Sequence, residues 1–317
     1  MGQRILISTT EYLGDTIMTL PLIDLLEANY DDVRYMAPGY AAQLLASPKR
    51  RFVTPPPKSS FWGDIQYAKS LRAEQFDTAI AAKTSFRTAW ILRLAKIPRR
   101  IGHAMEGRGF LLTDPVKYEP GAYFAFTLLD LARPFGLPIN FKFPSFRNFT
   151  KIEEAKQLLD GATVAVQPGS KMERKMMSND QLGAIIHYLA DQGARVALIG
   201  GPPETEIAES LIAELKCPVV NLVGKTDFPT LASVLSQSKL VVGGDTGVLH
   251  LAAATGATTV QVFGPTFYKA WGNGYGGNQV LVAHDGNVRS LPADLLVQTV
   301  ATALDAAERK ALLATAR

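Results

Sequence analysis

The sequence predicts an α/β protein built from two doubly wound parallel-sheet domains in tandem. Short β-branched runs alternate with helix-periodic segments, the signature of βαβ units. The alternation lapses near residues 138–150 and then restarts. A length of 317 residues, with 47% hydrophobic and 20% charged side chains, suits two domains of ordinary size with true cores.

Taken in order, RILIS, DVRYMA and FDTAIAA read as strands of the first half. LPLIDLLEANY, YAAQLLA and FRTAWILRLAKI place apolar residues at three-and-four spacing and read as the intervening helices. VTPPPKSSFWGD is too polar and too broken by proline for an element and reads as a loop. In the second half TVAVQPGS, ARVALIGG, VVNLVG, KLVVGGD and TTVQVFGPT are strands ending in Gly, Pro or Ser turns. NDQLGAIIHYLADQG, ETEIAESLIAELK, FPTLASVLSQS and VLHLAAATG are the helices between them, and PADLLVQTVATALDAAERKALLATA is a closing helix. The expected division is 1–150, 151–290, and a helix at 291–317 that packs back on the domains. Two such domains leave a cleft between the carboxyl ends of their sheets, where open α/β sheets bind ligands.

Charge is uneven. Residues 1–150 carry 19 Lys/Arg against 13 Asp/Glu, and residues 151–317 carry 14 against 16. The basic first half suits an anionic partner, or is simply a solvated basic face. No apolar run nears the roughly 20 residues that cross a bilayer. The start, MGQRILISTTEYLGD, lacks the pattern of a secretory signal, and Leu6 breaks the myristoylation pattern. The lone Cys217 excludes an intrachain disulfide framework and fits a reducing compartment. Four scattered histidines and one cysteine give no metal-ligand cluster, so no metal is expected.

Four motifs carry chemistry. In VVGGDTGVLHLAAATGA, residues 241–257, Gly243 and Gly244 permit a sharp turn, and Asp245 or Thr246 can cap the following helix. The exposed N–H groups of that turn, around Gly247, also make a seat for phosphate. His250 lies about one helical turn beyond Thr246, on the same face. In VAVQPGSKMERKMM, residues 164–177, a strand ends at Pro168-Gly169-Ser170 and the cations Lys171, Arg174 and Lys175 follow. That is either a diphosphate cradle or an ordinary solvated loop; GxxxxGK[ST] is absent. In ALIGGPPETEI, residues 197–207, Glu204 is a helix-dipole partner or an acceptor for ribose hydroxyls, and no GxGxxG is present. In ISTTEYLGDTIMTLP, residues 7–21, Gly14 and Asp15 open a helix, with Glu11 in the same loop. Asp15 is an N-cap or a general base at the end of the first strand.

Together these motifs resemble glycosyltransferase family nine, the ADP-heptose:lipopolysaccharide heptosyltransferases. The resemblance runs from LGDTIMTLPLIDLLEANY through FDTAIAAKTSFRTAWILRLAKIPRRIGH, which is similar to the second-heptose transferases, and PGSKMERK to GGDTGVLHLAAATGATTVQVFGPT. It implies a GT-B architecture with an acceptor-binding N-terminal domain and a donor-binding C-terminal domain. It implies inverting transfer of a heptose from an ADP-sugar without a metal or other cofactor. By position, Asp15 matches the catalytic base, with Lys175 as the second catalytic residue. Gly169, Ser170, Lys175, Glu204, Asp245, Thr246, Gly247 and His250 fall on the donor side. Glu11, Gly14, Arg50, Arg51, Lys83, Arg87 and Arg100 fall on the acceptor side, with Lys49, Lys58 and Arg99 near them in sequence. The chain departs from the family at Met177, where an aromatic is usual, and in the 267–277 loop.

The implied partners are a nucleotide-sugar donor, a phosphorylated lipid-linked saccharide and, transiently, a membrane surface, with no nucleic acid. The protein would act as a monomer in the cytoplasm, peripheral to the inner face of the inner membrane. Two readings compete: a GT-B-like sugar-nucleotide epimerase, and a non-enzymatic anionic-surface module using Lys49, Arg50, Arg51, Arg99 and Arg100.

Overall fold

A computed structural model describes residues 2–10, 12–56 and 60–315. The chain divides into two compact units, Met1–Pro144 and Ser145–Arg317. The first holds β1 (Arg4–Ser8), β2 (Asp32–Met36), β3 (Arg51–Val53), β4 (Thr78–Ala81), β5 (Arg99–His103) and β6 (Asp114–Val116). They pair in the order β3-β2-β1-β4-β5-β6, every neighbour parallel. The second holds β7 (Val164–Val166), β8 (Val196–Leu198), β9 (Val220–Asn221), β10 (Leu240–Gly244), β11 (Thr258–Phe263) and β12 (Gln279–Val282). Their order is β12-β11-β10-β7-β8-β9, again all parallel.

Counted from its own first strand, each sheet has the Rossmann order 3-2-1-4-5-6. The order reverses between β1 and β4 in one unit and between β7 and β10 in the other. Those central strands are buried on both faces, so RILIS, TAIA and LVVGG read as apolar runs rather than alternations. The connections β1 to β2 and β4 to β5 run through helices Leu20–Glu27 and Phe86–Leu94, whose apolar faces cover the sheet. The closing helix, Ala293–Thr315, contributes Leu296, Val300 and Ala303 to the core of the second unit.

Several elements escape the periodicity. β3 and β6 have three residues each, too few to alternate visibly. β5 opens with Arg99 and Arg100, which read as a basic patch; in the fold Arg99 pairs with Asp114 at 2.9 Å, and Arg100 donates to the Leu111 carbonyl at 2.8 Å. VTPPPKSSFWGD is not loop throughout. The hydroxyl of Ser60 accepts from the Gly63 N–H at 3.0 Å and starts a helix, Phe61–Ala73, with Asp64 in its first turn.

Candidate active site

In the second unit, polar side chains gather at the carboxyl ends of β7, β10 and β11, around the point where the strand order reverses. The approach is made possible by glycines, though not through turn geometry, because neither Gly243 nor Gly244 has a positive φ. A β-carbon at Gly244 would stand 2.5 Å from the Lys175 carbonyl oxygen, and one at Gly264 would stand 2.6 Å from that of Arg174. Bare backbone therefore lets residues 174–175 lie across the ends of β10 and β11.

That crossing delivers Lys175 Nζ to 2.8 Å from Asp245 Oδ2. Asp245 is only 7% exposed. Its other oxygen accepts from Gln261 Nε2 at 3.3 Å, and His250 Nε2 stands 3.7 Å away. Burial pushes this carboxyl up, but the contacts with His250 and Lys175 outweigh it and hold the group below its ordinary value. Asn273 orients the histidine. Its amide nitrogen donates to the Leu249 carbonyl at 3.2 Å, so its oxygen faces His250 Nδ1 at 3.3 Å. The Asn273 backbone N–H donates in turn to Gln261 Oε1 at 3.1 Å.

No side chain caps the helix Gly247–Thr255. Thr246 Oγ1 donates instead to Gln167 Oε1 at 2.6 Å. The Leu249 and His250 N–H groups donate to the Thr246 carbonyl, so Gly247 and Val248 are the first-turn residues whose N–H groups can face water or an anion, with the Lys175 ammonium held by the adjacent Asp245. Glu204 accepts from Gln167 Nε2 at 3.0 Å and from the Gly201 N–H at 2.6 Å. Its carboxyl lies on the bare backbones of Gly169 and Gly200.

In the first unit, Thr10, Tyr12, Asp15, Ala82, Lys83, Thr84 and Phe124 line a cavity of about 140 Å³ at the ends of β1 and β4. Asp15 lies in the first turn of the helix Leu13–Met18, whose N-cap is Tyr12, so capping is not its position. The threonine and proline that follow hold it. Thr19 Oγ1 donates to the Asp15 carbonyl at 2.8 Å, and Pro21 enters the next helix, Leu20–Glu27, in its first turn, where a missing N–H costs nothing. Behind Lys83, the fully buried Arg108 donates to the carbonyls of Lys83 at 2.7 Å and His103 at 2.8 Å, bracing the segment that carries Lys83.

A family model described as glycosyltransferase family 9 (heptosyltransferase) matches residues 65–291. The chain belongs to that family. It is a glycosyltransferase by descent, similar to lipooligosaccharide heptosyltransferase 2 of Haemophilus influenzae, at 28% identity over 83% of this chain and 84% of that protein. A family 9 glycosyl transferase from Veillonella parvula has the same fold, with TM-score 0.85 and 15% identity over 95% of this chain and 97% of that one. So has Escherichia coli ADP-heptose lps heptosyltransferase II, with TM-score 0.82 and 22% identity over 95% and 98%. The two-unit α/β class expected from the sequence, GT-B, is the class found.

The structure gathers Gly169, Ser170, Lys175, Glu204, Asp245, Thr246, Gly247 and His250 at one end of the second sheet. It does not gather the cations expected on the acceptor side. Arg50 precedes β3, Arg51 opens it, and Arg100 is the second residue of β5; the register sets Arg51 and Arg100 level with Leu6 in the middle of β1. Arg50 is held by Glu27 at 2.7 and 3.0 Å with its side chain 13% exposed, and Arg100 by backbone carbonyls. Of the cations named for an anionic-surface module, Arg50, Arg99 and Arg100 have internal partners, while Lys49 and Arg51 are exposed. Arg87 does lie at the carboxyl end, joined to Asp64 at 2.5 Å, and Lys83 lines the cavity. Gly14 is a buried helical residue without a positive φ, so it makes no sharp turn. Glu11 and Lys58 lie outside the described residues.

Met177 is a core residue, 3% exposed among Val166, Leu182 and Val288. The divergent 267–277 loop, by contrast, supplies Asn273 and sets Trp271 6.0 Å from the His250 ring. Gln167, Gln261 and Asn273 are absent from the sequence-derived site. A glutamine inside an apolar strand, as in VAVQ and TTVQVF, was the available signal for two of them.

Proposed function

We propose that this enzyme transfers a heptose from ADP-heptose to a saccharide of a lipopolysaccharide or lipooligosaccharide core, with inversion and without a metal. The observation that carries the reading is the Lys175–Asp245 pair beside the uncapped helix N-terminus at Thr246–Gly247. As the glycosidic bond breaks, the leaving diphosphate gathers negative charge. An ammonium and the N–H groups at the start of a helix are groups that can stabilise such charge without a metal, which supports this reading. Glu204 accepts the ribose hydroxyls. Gly169 and Ser170 offer backbone that a ligand can approach closely.

Asp15 is the base. It takes the proton of the attacking hydroxyl as the new carbon–oxygen bond forms and the bond to the diphosphate oxygen breaks. Lys83 and Arg87 serve the anionic acceptor. No helix among the described residues is long and apolar enough to cross a membrane. Phe61, Trp62, Phe86 and Phe110 are nevertheless exposed around the joined first turns of helices Phe61–Ala73 and Phe86–Leu94, which suits a peripheral site at a lipid surface. The natural setting is then the cytoplasmic face of the membrane on which the acceptor is carried.

Mass spectrometry of a core acceptor lacking its outer heptose, incubated with ADP-heptose and chelator, tests this directly. A gain of one heptose is expected. Nucleotide release that ignores the acceptor would favour the epimerase-like alternative instead.

A further inference from the structure

We propose that Gln167 is a positioning residue for nucleotide binding, its buried amide locking the Glu204 carboxylate and the Thr246 hydroxyl into one arrangement. This rests on the donor reading of the second unit given above. Gln167 follows β7 where the strand order reverses. Its N–H donates to the Val242 carbonyl at 2.9 Å, so its backbone extends the β7–β10 ladder and its side chain is 5% exposed. The orientation of the amide follows from its partners. A carboxylate only accepts, so Glu204 takes the NH₂ at 3.0 Å, and the amide oxygen accepts from Thr246 at 2.6 Å.

Two consequences follow for a nucleotide. The single hydroxyl proton of Thr246 is committed to Gln167, so a diphosphate, itself all acceptor, is bound here by backbone N–H groups. Both oxygens of Glu204 are held from within, by Gln167 and by the Gly201 N–H, so the remaining lone pairs present a fixed pair of acceptors to a vicinal diol. The backbones of Gly169 and Gly200 close off the other side of the carboxylate. One amide therefore sets the ribose side and the diphosphate side together.

Gln167→Glu tests the idea with an isosteric side chain. At pH 8 it sets a second carboxylate against Glu204, and ADP affinity measured by calorimetry should fall roughly 10-fold or more, the scale of a lost buried hydrogen bond to a charged group. Acidification toward about pH 5.5 lets the two carboxyls share a proton. The O–H then replaces the amide donor, the carbonyl still accepts from Thr246, and affinity should recover toward the wild-type value. Gln167→Ala should stay weak throughout. The wild type over the same pH series corrects for Glu204 itself and for Asp245, Lys175 and His250 beyond Thr246. Without ligand, a carboxyl pKa raised in the fold adds stability as pH falls and loses it as pH rises. The melting temperature of Gln167→Glu should therefore climb toward that of the wild type on acidification.

Wild-type ADP affinity of Gln167→Glu at pH 8, or weak affinity without recovery, would overturn the positioning role. A wild-type protein that binds no nucleoside diphosphate would remove the donor reading and this inference with it. The ligand-free melting profile would still report the amide bridge, so the two failures are told apart.

Discussion

The two units share one topology and set polar side chains at the same end of it, yet they surround them with different groups. In the second unit, Lys175, Asp245, Gln261, Asn273 and His250 form one buried hydrogen-bonded chain, and Glu204, Gln167 and Thr246 form another beside it. In the first, Asp15 and Lys83 line a small cavity among two threonines and two aromatic rings, and their carbonyls accept from Thr19 and Arg108. The contrast suits their proposed ligands. A nucleotide diphosphate presents charge that preorganised charges can match, whereas a saccharide offers hydroxyls and ring faces that threonines and aromatic rings can meet.

The largest expected effect separates the two units outright. Asp15→Asn removes the proposed base and nothing of the second unit, so turnover should fall roughly 10²–10⁴-fold while ADP affinity and melting temperature hold. An active variant would shift the assignment toward Glu11. Lys175→Ala comes next. Turnover should drop by about 10²–10³-fold, and because Asp245 loses its ion-pair partner, stability should fall as well, by roughly 1–3 kcal/mol in urea unfolding. A change in turnover with no loss of stability would mean that the cluster is less tightly built than the comparison requires.

Arg50 gives the converse experiment. Arg50→Ala removes the clamp on Glu27 and the contact with the Tyr35 ring, and should cost about 1–3 kcal/mol of stability. The acceptor KM should not move, since Glu27 already engages the largely buried guanidinium. A raised KM at unchanged stability would restore Arg50 to the acceptor side.

The smallest effect is a pH slope. Asp245 is held below its ordinary pKa of 3.8, so it contributes stability above that value and loses it as pH falls through the lower, folded one. Unfolding followed downward from about pH 5 should steepen in the wild type and lose part of that slope in Asp245→Asn. An unchanged slope would assign acid sensitivity to other carboxyls held low, such as Asp227, through its hydrogen bond from Thr230, or Glu27, where burial raises the carboxyl but Arg50 and Tyr35 outweigh that.

The sequence alone determined the class of fold and the local half of each site. Alternating apolar strands and amphipathic helices can bury their faces only as a parallel sheet covered on both sides, and that pattern is readable strand by strand. Asp15, Lys175, Asp245 and Glu204 stood out as candidates because each lies in the segment that leaves the carboxyl end of a strand, and strand ends are where such sheets carry chemistry. Tertiary structure decided everything that depends on partners distant in the chain. Lys175 meets Asp245 across 70 positions and Gln167 meets Thr246 across 79, so no local pattern announces either contact. It also decided which partners each cation meets. In a linear reading Arg50, Arg100 and Lys83 are equivalent basic residues. The fold gives Arg50 the Glu27 carboxylate and Arg100 backbone carbonyls, and sets Lys83 in the lining of the cavity with Asp15. A charge is only as useful as the partners that burial leaves it, and burial is set by the whole chain at once.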